Sequence, residues 1–206
     1  MVTQGVPEET VILILMLPIV ATIIAFARQV IGIKGFGIYT SLIIVFAFLS
    51  TGLKYGLAIF VVVLITGTLM RFVVRRFRLL YLPRMAIVLT LVALVIIIMF
   101  LGAAFFEKTG FLKVSIFPIL IIITLVEKFI AAQIEKGNRT AVILSLETIA
   151  LSILCYFIAG WPWLKELIYF RPEWIFLTVV INIFLGKWAG LRLSEYFRFR
   201  EVIKHR

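Results

Sequence analysis

Three ionisable side chains interrupt otherwise apolar runs: Glu147 in LSLETIALS, Lys187 in FLGKWAG and Glu127 in TLVEKF. A charge inside a bilayer is costly, so each asks for a partner or a pathway. The side richer in Lys and Arg is taken as the inner one. At 1.5 Å per residue, Glu147 then falls about 12 Å from the inner end of its helix, and Lys187 about 9 Å from the inner face of a ~30 Å core. Glu127 reaches a similar depth. Arg28, Gln29 and Lys128 are near that level, and Asn182 lies a little deeper. The expectation is a polar pocket opening to the inner side, built around Glu147 and Lys187, with Glu127, Arg28, Gln29 and Asn182 as further binding candidates. The competing reading is structural. Glu147 and Lys187 form a buried ion pair that fixes helix packing, or Lys187 snorkels to the headgroups.

The same inventory excludes much chemistry. There is no Asp, and all ten acidic residues are Glu. The single His is His205 and the single Cys is Cys155. No Cys/His metal cluster, HExxH motif or intramolecular disulfide can be built, and no metal or cofactor is expected. A Ser-His or Cys-His nucleophile pair within the membrane is excluded too. Glu147 alone could serve an intramembrane enzyme as a general base, but no nucleophile, metal or cofactor motif accompanies it. A lysine in the last helix is shared by retinal proteins. Here Lys187 is too near the inner end, and no Asp can act as counter-ion. Asn138-Arg139-Thr140 matches a glycosylation sequon but falls on the inner side. Cys155 reads as a packing residue.

The elements that must position these residues follow from composition. Of 206 residues, 64% are hydrophobic, against roughly 45–50% in soluble domains; the mean hydropathy is +1.19. The chain is therefore read as an all-α polytopic membrane bundle, one domain over residues 1–206. Seven spans are expected, at 9–27, 36–53, 55–70, 83–106, 114–133, 140–161 and 174–191. The second and third are separated only by Gly52, Lys54 and Gly56, and could fuse into one helix plus a re-entrant segment. The runs are too long, and lack the alternation, for strands.

Charge sets the orientation. With seven spans, five Lys/Arg fall on the N-terminal side and sixteen on the other. By the positive-inside rule the N-terminus is outside and the C-terminus cytoplasmic. The net charge of +11 is thereby accounted for, and nucleic acid is not expected. Met1–Glu9 is polar, net negative and without a basic n-region, so it is not read as a secretory signal. An N-out chain of this kind is expected to be the C-terminal part of something longer, or to stand alone.

Arg71, Arg75 and Arg78 form one basic helical stripe, with Arg76 beside it, on a segment read either as plain positive-inside anchoring or as a helix extension along the inner headgroups. The tail 192–206, with Arg198 and Arg200, is basic and aromatic. Both are expected to face anionic inner-leaflet lipid or a cytoplasmic partner. Trp161, Trp163, Tyr169 and Trp174 cluster around the last outer loop as an aromatic belt. Pro18 and Pro118 are expected to kink their helices. Gly186 and Gly190 mark a close helix approach. Gly32, Gly35 and Gly37 among polar residues suggest either a tight cytoplasmic turn or irregular backbone. Such backbone at membrane depth must be buried in protein or line a wet cavity.

Several segments together carry a resemblance: Gly5-Val-Pro7-Glu8-Glu9-Thr10, Ala27-Arg28-Gln29-Val-Ile-Gly32, Gly35-Phe36-Gly37-Ile-Tyr39-Thr40, Ser115-Ile-Phe117-Pro118, Glu127-Lys128-Phe129 with Ala132-Gln133-Ile-Glu135, and Gly190-Leu-Arg192-Leu-Ser194-Glu195-Tyr196-Phe197-Arg198-Phe199-Arg200. Over nearly its whole length the chain resembles the bacterial seven-transmembrane domain usually fused behind an inactive transglutaminase-like domain. The resemblance implies an inner-membrane module paired with an outer, peptide-binding domain. It also implies neighbours such as cytoplasmic ATP-grasp ligases, and a role in peptide tagging or envelope stress. It carries over no catalytic residue. The leading expectation is a non-enzymatic anchoring, signalling or peptide-binding module. The alternative is a transporter or exporter of a small peptide or amino acid.

Overall fold

Nineteen residues, EETVILILMLPIVATIIAF, form helix α1 (Glu8–Phe26) in a computed structural model that describes residues 8–76, 80–105 and 116–188. Leu, Ile, Val and Ala fill every face of it, so no side is left for water. Val20 and Ile24 are fully buried, whereas Ile14 is 63% exposed. A helix that shows apolar residues on its open side needs lipid there. The same holds along the chain, from Phe105 to Phe184. Pro18 lies inside α1, and the Thr22 hydroxyl donates to its carbonyl at 2.8 Å.

The remaining helices are α2 (Ile38–Thr51), α3 (Leu53–Arg75), α4 (Tyr81–Phe105), α5 (Ile116–Lys136), α6 (Asn138–Gly160), α7 (Pro162–Phe170) and α8 (Ile175–Gly186). No strand occurs among the described residues. Among the described residues, three helical stretches are long and apolar enough to cross a membrane: Thr10–Ile31, Leu82–Ala103 and Asn138–Gly160. A fourth crossing results if Pro162–Phe170 and Pro172–Gly186, bent by 102°, count as one. Helix α2, at 14 residues, reaches only about 21 Å.

Two compact units emerge, one from Met1–Leu42 with Leu146–Arg206, the other from Ile43–Ser145. In the first, α1 packs against α7 and α8, with Met16, Val20, Ile24, Leu151, Cys155 and Ile168 buried. In the second, α3 packs against α4 and α5 through Phe60, Val63, Val92, Val126 and Ile130. A Cβ on Gly67 would come within 2.5 Å of Val126 Cγ1, so α3 and α5 meet where any larger residue forces a neighbour to shift.

Helices α2 and α3 are two separate helices rather than one fused helix, broken at Gly52 with φ +79°. Other local expectations change. In the described part of the basic stripe α3 ends at Arg75 and Arg76 turns, its N–H bonding Val73 O. Arg78 lies outside the described residues. Pro118 is the third residue of α5, a first-turn position that has no N–H bond to lose. The aromatic segment expected as the last loop holds a helix, α7, started by Pro162 at its first turn, where the ring pre-sets φ. Among the described residues a Cβ on Gly186 would meet nothing within 4 Å, so none of them approaches closely there. Gly190, Arg198, Arg200 and the rest of the tail lie outside the described residues.

Candidate functional site

The end of α1 widens into a π turn, Ala27–Ile31, closed by the Gly32 N–H on Ala27 O at 3.0 Å. Gly32 sits at φ +92°, a left-handed conformation that costs an ordinary residue roughly 1–2 kcal/mol. The chain then runs irregularly through Gly35 (φ +41°) and Gly37 (φ +126°) before α2 begins. Such a stretch leaves backbone N–H groups without helical partners, and in an apolar setting each must be satisfied.

Helix α6 satisfies three in succession. The N–H groups of Lys34 and Gly35 both donate to Glu147 Oε2, at 2.8 and 2.9 Å. The next, Phe36 N–H, donates to Thr148 Oγ1 at 2.9 Å. Successive N–H groups turned to one side form a concavity suited to an anion. Here the anion is the protein's own carboxylate. Hydrogen bonds to charged groups contribute about 1.5–3 kcal/mol each. One turn along α6, the Ser152 hydroxyl donates to Ser41 O at 3.3 Å and to Thr148 O at 2.8 Å. The glycine loop is thus buckled to α6 over a sequence separation of 112 and 113 residues. Gly35 is held close: a Cβ there would stand 3.0 Å from Thr148 Oγ1 and 3.7 Å from Arg28 Nη1.

The expected residues distribute as follows. Arg28 borders the buckle and is half-buried, and its Nη1 is buried without a hydrogen-bond partner. Gln29 follows it in the π turn, also half-buried. Asn182, on α8, is spent on packing: its Nδ2 donates to Thr22 Oγ1 and Thr178 O, both at 2.8 Å. Lys187 is exposed at the end of α8. No ion pair within 4.0 Å joins it to Glu147, whose partners are backbone amides. Glu127 and Lys128 are exposed on α5, in the other unit. Of the basic surface, Arg76 is exposed, while Arg71 and Arg75 belong to the last turns of α3. The groups that sequence reasoning did not place at the site are Thr148, Ser152, Ser41 and the amides of residues 34–36. The glycine spacing signalled the loop, but nothing in it named Thr148. Among the described residues no cluster of three or more His, Cys, Asp or Glu could hold a metal.

A protein family described as seven transmembrane helices usually fused to an inactive transglutaminase matches residues 5–203. The chain belongs to this family. It is accordingly a multi-pass membrane protein, and the helices with exposed apolar sides fit such a membrane domain. No curated protein and no solved structure matched the chain.

Proposed function

We propose that this transglutaminase-associated domain is a non-enzymatic anchoring and signalling module of a bacterial inner membrane. It pairs with an outer transglutaminase-like domain in a peptide-tagging or envelope-stress system. The observation that carries this reading is the use made of Glu147. Its carboxylate is engaged by the Lys34 and Gly35 amides, so it holds a loop in place. A carrier's substrate site would instead keep its charge available to a ligand and to two access states. Orientation enters the proposal through the five-to-sixteen split of Lys and Arg, which puts the C-terminal side in the cytoplasm. Seven crossings follow if α1 to α6 each cross once and the bent α7–α8 pair counts as one. On the inner side Arg71, Arg75, Arg76 and Arg78, with Arg198 and Arg200, would meet anionic lipid or a cytoplasmic ATP-grasp ligase.

The test is flux. The chain is reconstituted in liposomes and offered radiolabelled amino acids and short peptides, beside Glu147→Gln. An anchor gives no flux above empty vesicles for either form. Saturable flux that Glu147→Gln abolishes would move the transporter reading to the front. The family's fusion partner gives a second test. Co-purification of a separately expressed transglutaminase-like domain supports the pairing, and its absence at micromolar concentrations counts against it.

A further inference from the structure

We infer that Arg28 and Lys34 form a binding site for a phosphate group at the end of α1. Arg28 lies within the 22-residue apolar stretch Thr10–Ile31, three residues from its end. A guanidinium at that depth requires an anion, because an uncompensated charge in an apolar setting is strongly unfavourable. None of the described side chains supplies one: Nη1 is buried with no acceptor, and no carboxylate stands within 4.0 Å of the guanidinium. The obvious candidate, Glu147, has Oε2 taken up by two backbone amides in the same few ångströms of structure. Those amides offset part of its charge and turn that oxygen toward the loop. Arg28 therefore stays a cation seeking an anion from outside the chain.

The surroundings select the kind of anion. Arg28 Nη1 lies 3.7 Å from the position a Gly35 Cβ would take. Lys34, the residue before Gly35, is exposed and has its backbone pinned to Glu147. One edge of the guanidinium is thus fixed against the glycine loop, the residue remains partly open, and a second cation stands next in the loop. A planar fork beside a mobile ammonium suits the several oxygens of a phosphate better than a single carboxylate oxygen. The end of an apolar span is also where lipid phosphates lie. The phosphate comes from a lipid headgroup or from free phosphate, and the site chemistry is the same for both. This inference is independent of the anchoring reading, since either an anchor or a carrier can hold such a group.

The test uses the full chain. Native mass spectrometry in mild detergent counts phosphatidylglycerol retained per chain. Binding is then titrated in nanodiscs of phosphatidylcholine with and without phosphatidylglycerol. Arg28→Gln and Lys34→Gln are each expected to weaken retention about fivefold, the worth of one basic residue at a charged surface. Arg28→Lys should keep most of it. Arg139→Gln, an exposed cation on α6, should change nothing. Inorganic phosphate added to delipidated protein separates the sources. A phosphate-induced rise in melting temperature, dependent on Arg28, with no preference for phosphatidylglycerol, assigns the site to free phosphate. Preference for phosphatidylglycerol without that rise assigns it to lipid. Should Arg28→Gln fail to fold, Lys34→Gln and Arg28→Lys carry the test. Retention equal to wild type in Arg28→Gln, or in Lys34→Gln where Arg28→Gln does not fold, overturns the inference. So does a protein that responds to neither phosphate source.

Discussion

The two compact units are held by different forces. The unit of residues 43–145 relies on shape: α3 and α5 approach so closely at Gly67 that a methyl group would overlap Val126. Gln133 Nε2 also donates to Thr68 Oγ1 between two of its helices, at a long 3.4 Å. The unit of residues 1–42 and 146–206 relies on direction. Glu147, Thr148, Ser152 and Asn182 each bond a group on a remote segment, at 2.8 to 3.3 Å. Shape tolerates exchange among apolar residues of equal volume. Directed bonds demand one residue type at one position. Specific function is accordingly sought in the polar unit.

The comparison can be broken in either half. Gly67→Val should cost the most, about 3 kcal/mol, because the methyls have nowhere to go in a contact already at its limit. A fall in the thermal midpoint in detergent measures it, and Gly67→Ala should fall between that variant and wild type. In the other unit, Glu147→Ala leaves the Lys34 and Gly35 amides without an acceptor, at about 2 kcal/mol. Amide exchange at residues 34 and 35 should quicken selectively. Glu147→Gln keeps a carbonyl acceptor and should exchange more slowly than the alanine variant. Equal exchange in both variants would show that charge, and not geometry, holds the loop. Gly35→Ala sharpens the point at about 1 kcal/mol, through its left-handed φ and the nearby Thr148 hydroxyl. Asn182→Ala should be smallest, about 0.6 kcal/mol for a bond between membrane helices. A larger loss there would mean that α8 depends on Asn182 for its place against α1.

Much of this is legible in the sequence, and what is not has physical reasons. Apolar runs of 18 or more residues announce themselves, so α1, α4 and α6 fall within a few residues of expectation. Glu147 stood out because a carboxylate is expensive in such a run. Gly32, Gly35 and Gly37 pointed to irregular backbone for the same reason that they were needed. The partnership between the two was invisible, because backbone amides have no letter in a sequence. Lys187 looked like the natural partner by depth alone, and depth says nothing about which face of a helix a side chain occupies. Helix α7 was missed because Pro162, Lys165, Glu166 and three tryptophans nearby imitate a loop. The proline opens the helix, and its Ile168 is buried in the unit where α7 packs against α1.

The π turn at Ala27–Ile31 makes this region intolerant of a change in chain length. A hydrogen-bond ring one residue larger than that of an α-helix, closed here by Gly32 on Ala27, holds a residue that a regular helix would not. Removing any residue of that turn would let α1 close normally and swing the chain beyond it by about 100°, one residue's rotation. The amides of residues 34–36 would then face away from α6. Composition and hydropathy would scarcely change, yet the register joining two segments more than a hundred residues apart would be lost. Single-codon deletions at 27–31 should therefore be far more damaging than deletions at the exposed turn around Gly137, where no side chain stands within 4 Å of a Cβ.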